Sequence, residues 1–265
     1  MKKVLVLLIV IISFCNCALA RMNDYEEEIK RTGYKYNANG FIKAVKQQHL
    51  KAFTLFLHST LGVNTQNSKG ISPLIVAVDD GNFEYTRRLI GENANVNIKT
   101  NLGNSPLDYA VYRKNLDMAK YLVECGANVD TQDNKGNTPL IHAIKNSNGQ
   151  MIYFLLSSGA DINLKDNKGN SPLHFAVRIG NLDLVRFLVE NGADVNSLNE
   201  NHATPLYVAA AYGREQTVRY LLENNADKYK TTKSGLAPVD IALKKKYLPI
   251  VNHLSKEALL NINTR

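Results

Sequence analysis

The sequence predicts an all-α solenoid of paired antiparallel helices joined by short β-hairpin loops, and two columns of residues predict it. Pro73, Pro106, Pro139, Pro172, Pro205 and Pro238 stand 33 residues apart and are six of the seven prolines in the chain. Seven alanines, Ala44, Ala77, Ala110, Ala143, Ala176, Ala209 and Ala242, keep the same spacing. A fixed period of this size marks a tandem array of one supersecondary unit. Such arrays are stabilised by stacking each unit on its neighbours, and they offer an extended surface in place of a central cavity.

The copy from Asp166 to Leu198 shows why each segment adopts its structure. Asp166-Asn167-Lys168-Gly169 is a tight turn in which the glycine supplies a positive φ. Ser171 is placed to cap a helix, and Pro172 occupies the first helical position, where a missing N–H costs nothing. Leu173, Ala176 and Val177 give the first helix an apolar face, and Gly180-Asn181 ends it. Leu182, Val185, Leu188 and Val189 form a second stripe at helical spacing. Gly192 ends the second helix in the left-handed conformation, before Asp194-Val195-Asn196 leads to the next turn.

Other copies change letters but keep the physics. The helix-ending position holds Asn93, Gly126, Gly159, Gly192 and Asn225, the two residue types that best tolerate the left-handed region. The turn position holds Gly70, Gly103, Gly136, Gly169, His202 and Gly235. The alanine column is expected where the first helices of neighbouring copies approach, so that bulk there would overpack.

The pattern Gly-x-Ser/Thr-Pro-Leu, with Ala three residues after Leu and Gly-Ala-Asp/Asn-Val/Ile-Asn/Asp near the end of a copy, resembles the ankyrin repeat. The resemblance covers residues 34–264, read as units 34–66, 67–99, 100–132, 133–165, 166–198, 199–231 and 232–264. The first unit lacks the proline signature, and the last carries Lys244, Lys245 and Lys246, as end units with one unpartnered face require. Residues 21–33, with Glu26, Glu27 and Glu28, are expected to be an N-terminal arm, either mobile or a short capping helix. Three departures stand out. Gly149 replaces the Leu182 or Phe83 of other copies and predicts a looser inter-helix turn in the fourth unit. Thr60 replaces the helix-ending glycine and predicts a shifted terminus in the first, while His202 predicts either a left-handed histidine or a distorted tip.

The first twenty residues predict an export leader. Lys2 and Lys3 precede an apolar run from Val4 to Phe14, and Ala18-Leu19-Ala20 is a small-x-small cleavage pattern, placing the cut between Ala20 and Arg21. The expected location is therefore periplasmic or secreted, with no membrane span after cleavage. Taking Lys2 and Lys3 from 32 Lys and Arg leaves 30 against 24 Asp and Glu, a net +6 that is mild and dispersed. Cys125 alone follows the leader, which excludes an internal disulfide framework and is read as an ordinary helix-end residue.

Catalytic constellations are lacking. The sequence has no His-x-x-x-His or Cys-x-x-Cys spacing, no phosphate-cradling loop and no Gly-x-Ser-x-Gly elbow. The expectation is no enzyme, no metal and no cofactor. His174 follows Ser-Pro-Leu, where the resemblance implies a histidine bonded to the hydroxyl before the proline. Asp161, Asp194 and Asp227 belong to the repeat's own turn.

What remains is recognition. The resemblance implies that hairpin tips and the outer side of the first helices line a concave groove that binds a protein. By phase, the groove residues are Asp79/Asp80, Tyr112/Arg113, Lys145/Asn146, Arg178/Ile179, Ala211/Tyr212 and Lys244/Lys245. Tyr112, Arg113, Lys145, Arg178, Ile179 and Tyr212 are the expected contacts, because Tyr and Arg anchor interfaces and an exposed Ile calls for a partner. The expected activity is an exported, monomeric, non-catalytic scaffold for a protein partner, with a host protein as one class the resemblance implies and no nucleic acid. The alternative is a basic surface for a polyanion or an anionic membrane, drawn from the tip lysines Lys69, Lys135, Lys168 and Lys233.

Overall fold

A computed structural model describes residues 24–262, with side chains through Ser255. The expected leader, residues 1–20, and its cleavage site at Ala20 and Arg21 lie outside the described residues. Fifteen helices make up the described chain, which divides into two compact units, one through Ala127 and one from Asn128.

The first unit holds α1 (24–31), α2 (Ala38–Lys46), α3 (Leu50–Leu57), α4 (Pro73–Asp79), α5 (Phe83–Gly91), α6 (Pro106–Tyr112) and α7 (Leu116–Glu124). Of the two states expected for the N-terminal arm, the structure forms the capping helix. α1 buries Ile29 fully and carries a Glu26–Lys30 pair at 2.7 Å on its exposed side. Below it, Phe41, Phe53 and Phe56 form an aromatic core, with Phe41 stacked on Phe56 at 5.0 Å. These rings replace the proline-anchored packing that the first repeat lacks. The shifted terminus at Thr60 is also seen: α3 is one residue shorter than α5, and the left-handed residue is Gly62 at φ 82°.

The second unit holds α8 (Pro139–Lys145), α9 (Gly149–Ser157), α10 (Pro172–Ile179), α11 (Leu182–Glu190), α12 (Pro205–Ala211), α13 (Glu215–Glu223), α14 (Pro238–Lys244) and α15 (Leu248–Ile262). Within it α8 packs on α10, α10 on α12 and α12 on α14, while each first helix also packs on its own second helix. The first unit repeats that scheme through α2, α4 and α6. All seven alanines of the column are fully buried.

Each of the six periodic prolines opens its helix, and Ser72, Ser105, Thr138, Ser171 and Thr204 stand before five of them as caps. At Ser171 the cap is closed by His174. Ser171 Oγ lies 2.8 Å from His174 Nδ1, and His174 Nε2 lies 3.0 Å from the Ala203 carbonyl, so the proton sits on Nε2 and is donated to the next hairpin. Asp108 does the same work at Ser105, accepting from both its N–H and its hydroxyl at 2.8 Å. A second cap column appears as well. Asn82, Asn115, Asn148 and Asn181 cap the second helices through their side-chain oxygens.

The tips are turns and not strands: no strand occurs among the described residues. One backbone bond crosses each tip, such as Asp166 N–H to Asn170 at 3.0 Å, and a turn bond closes it, Gly169 N–H to Asp166 at 2.8 Å. The expected hairpin geometry is present, but each loop is too short for a ladder. Successive tips are then tied together, Glu200 N–H to the Lys168 carbonyl at 2.9 Å and Asn167 N–H to the Lys135 carbonyl at 2.9 Å. His202 is left-handed at φ 58° and its tip is undistorted, with His202 N–H bonded to Asn199 at 2.8 Å.

The turn before Gly149 is not looser. Ser147 N–H bonds Ile144 at 2.9 Å and Asn148 N–H bonds Ala143 at 3.0 Å, as Gly81 and Asn82 do in their own repeat. The expectation fails because the turn is held by its backbone bonds and by the Asn148 cap, neither of which needs the missing leucine side chain. Gly149 instead opens α9, with no atom within 4 Å of where a Cβ would stand. It borders an apolar recess of about 340 Å³ lined by Ile152, Tyr153, Leu184 and Phe187. Gly149→Leu therefore raises stability by about 0.5–1 kcal/mol through the unfolded-state entropy alone. A urea midpoint at or below that of the parent contradicts this.

Candidate partner-binding face

Two columns on the first helices face the tips. One holds Val76, Tyr109, His142, Phe175, Val208 and Ile241; the other, three residues on, holds Asp79, Tyr112, Lys145, Arg178, Ala211 and Lys244. Residues three apart on a helix are neighbours, so each repeat presents one pair. The alanine column fixes the helix beneath, and residue type varies along both columns.

In the first unit the pair on α6 is aromatic. Tyr109 and Tyr112 meet edge-on at 6.1 Å, and Tyr112 Oη donates to Asn104 Oδ1 at 3.3 Å. Arg113 is not an open anchor. Its Nε and Nη2 donate to the two Asp79 carboxylate oxygens at 2.7 and 3.0 Å, a bidentate pair that holds the side chain in place.

In the second unit, Lys145 and Arg178 converge on Phe175. The Lys145 ammonium lies 4.3 Å and the Arg178 guanidinium carbon 4.9 Å from the centroid of its ring. The Lys145 ammonium also donates to Asn137 Oδ1. Together with tip residues Lys135 and Lys168 they border a recess of about 480 Å³. A second recess, of about 390 Å³, is lined by Tyr207, Val208, Ala211 and Tyr212. A smaller one touching Phe175, Arg178, Val208 and Tyr212 joins the two. Tyr212 is 51% exposed and Ile179 38% exposed. The structure thus brings Lys145, Arg178 and Tyr212 together. Ile179 does not line these recesses, and its carbonyl accepts from the Arg214 guanidinium at 3.2 Å.

Electrostatics follow from burial. Desolvation pulls the Lys145 ammonium below its ordinary range, aided by Arg178 and Lys135 and opposed by Asp166 and Asp133. His142, buried beside Lys145, is driven down to about 4, first by desolvation and then by the Lys145 charge. It is neutral near pH 7, so its 3.2 Å contact with Asp133 is a hydrogen bond and not an ion pair. Burial works against ionising Asp133, but hydrogen bonds from the Asn137 side chain and from the Asn137 and Lys135 amides outweigh it and keep the carboxylate below its usual range. Desolvation also lowers His174. Among the described residues no group of His, Cys, Asp and Glu is placed to hold a metal ion.

Phase in the sequence located Lys145, Arg178 and Tyr212 but missed Phe175, Val208 and the tip residues Asn137 and Asn170. The signal was present as a second variable column three residues before the first. Residues 41–133 and 125–199 match a family model described as ankyrin repeats in three copies, and residues 188–242 match one described as ankyrin repeats in many copies. No curated protein matches the chain.

The histidine carries a pH prediction. The folded His142 resists protonation until about pH 4, whereas the unfolded imidazole takes a proton near 6.5. Stability attached to it is complete above pH 6.5 and is lost as pH falls toward 4, by roughly 3 kcal/mol at 1.36 kcal/mol per unit. Asp133, with its lowered pKa, acts below that window. In urea titrations, His142→Asn removes this share of the acid dependence; a parent-like slope between pH 6.5 and 4 contradicts it.

Proposed function

We propose that this chain, which belongs to the ankyrin-repeat family, is a non-catalytic scaffold, exported through residues 1–20, that binds a protein partner along its hairpin tips and first helices. Ankyrin repeats generally mediate protein–protein interaction. The observation that carries the reading here is the face of the second unit, where exposed Tyr212 and Arg178 border connected recesses. Tyr and Arg are the residues most often found as interface anchors. The repeats are already ordered by stacking, so binding there costs little conformational entropy. The partner class we favour is a host protein bound by a monomer released to the periplasm or beyond. The leader motif at Lys2, Lys3 and Ala18–Ala20 supports export, and no helix among the described residues is long and apolar enough to cross a membrane.

Affinity capture with residues 21–265 tests this beside a variant carrying Arg178→Ala and Tyr212→Ala. Proteins retained by the parent and lost from the variant are the expected result. Equal capture by both, or none, removes this face as the binding surface. Export is tested by the N-terminus of the recovered protein, which the cleavage motif predicts to be Arg21.

The second reading, a surface for a polyanion or an anionic membrane, rests on the four cations around the larger recess. It requires binding that weakens steeply with salt, in proportion to the number of charges neutralised.

A further inference from the structure

We propose that the recess between Lys145, Phe175 and Arg178 receives the carboxylate of an acidic residue in an extended partner peptide, with an apolar side chain of the same peptide seated beside Tyr212. The inference rests on the protein-binding reading and adds the chemistry of the partner.

Charge imbalance is the first ground. Lys135, Lys145, Lys168 and Arg178 surround the recess, and none has a carboxylate within ion-pair distance among the described residues. The two nearby acids are already used. Asp166 accepts from the Lys168 and Asn170 amides at 2.9 and 2.8 Å, closing its own tip. Asp133 accepts from the Lys135 and Asn137 amides, both at 2.8 Å, and holds His142. Asp166 also lines the recess and offsets part of this charge, which leaves four cations facing one carboxylate there and favours an anion between Lys145 and Arg178. Burial is the main reason the Lys145 ammonium lies below its ordinary range, and the nearby Arg178 and Lys135 charges add to it.

The floor is the second ground. Phe175 is almost fully buried, so its ring fixes both cationic side chains by packing and leaves their nitrogens at the rim. Among the described residues no other ring has two cations over it: Val76 sits with Asp79, and Val208 with Ala211.

The neighbouring recess decides among anions. It is lined mainly by the apolar faces of Val208, Ala211, Tyr207 and Tyr212 and joins the cationic recess at Phe175 and Arg178. A polyanion with charge at every step meets a single cation there, Lys233, against a mostly apolar lining. A membrane surface cannot extend into a recess. A peptide that sets an apolar side chain near a carboxylate fills both.

The test is fluorescence anisotropy on residues 21–265 with an array of labelled ten-residue-scale peptides, each carrying one Glu and one Leu or Phe at varied separation. Expected is saturable binding for a restricted separation, weakened at least about tenfold when Glu is replaced by Gln, since a charged partner of a desolvated hydrogen bond is removed. Lys145→Met and Arg178→Met must each reproduce that loss with an unchanged urea midpoint. The doubly reversed variant Lys145→Glu with Arg178→Glu must prefer the Lys analogue of the same peptide. Equal binding of Glu and Gln peptides, no peptide binding, or binding only to heparin or to phosphatidylglycerol vesicles overturns the proposal. If captured proteins are lost with Tyr212→Ala yet kept with both Met variants, the scaffold reading survives and this inference fails.

Discussion

The close approach of first helices at the alanine column is the contact on which the structure depends. Each alanine is fully buried, and each lies where one repeat meets the next within its unit. A methyl group lets two helices pack at short range, which sets the rotation of every helix relative to its neighbour. That rotation leaves the columns headed by Val76 and Asp79 facing the tips. The residues of this face are thus placed by a contact on another side of the same helix.

Polar staples repeat the constraint at the other end of the unit. Asp194 N–H donates to Asn163 Oδ1 at 2.8 Å while Asn163 Nδ2 reaches the Gly192 carbonyl at 3.1 Å, and Asn196 repeats both bonds with Asp227 and Asn225. These side chains satisfy helix-end groups that would otherwise face solvent unpaired. Where the staple changes, so does the solution. Arg214 replaces the capping Asn of the second helices and instead lies across Gly180, donating to the carbonyls of Arg178 and Ile179 at 3.2 Å. A Cβ at Gly180 would stand 2.5 Å from the Arg214 guanidinium carbon, so glycine there serves the crossing as well as the left-handed turn. The backbone of Arg178 is thereby anchored while its side chain stays at the recess.

Much of this was legible in the sequence because steric demands recur at fixed spacing. Proline at a helix start, alanine at a helix crossing and glycine or asparagine at a helix end each answer a local requirement, so their columns could be read without coordinates. The Asn82, Asn115, Asn148 and Asn181 caps obey the same logic and were equally available. Other features depend on distance between side chains. Arg113 looked like a free anchor because its partner, Asp79, is 34 residues away and adjacent to an equally plausible Asp80. Phase also cannot separate a ring that forms the floor of a recess from one buried in the core, so Phe175 was missed. Gly149 misled in the opposite direction: its letter suggested a loose turn, yet the turn is set by backbone bonds that a glycine does not alter.

Urea unfolding of Ala176→Leu tests the alanine contact most directly, because Ala176 lies on α10, which packs on both α8 and α12 and carries Phe175 and Arg178. Overpacking at that crossing predicts a loss of about 1–3 kcal/mol. An unfolding midpoint equal to that of the parent would show that the helices tolerate bulk at the column, and that something other than this contact sets the register of the face.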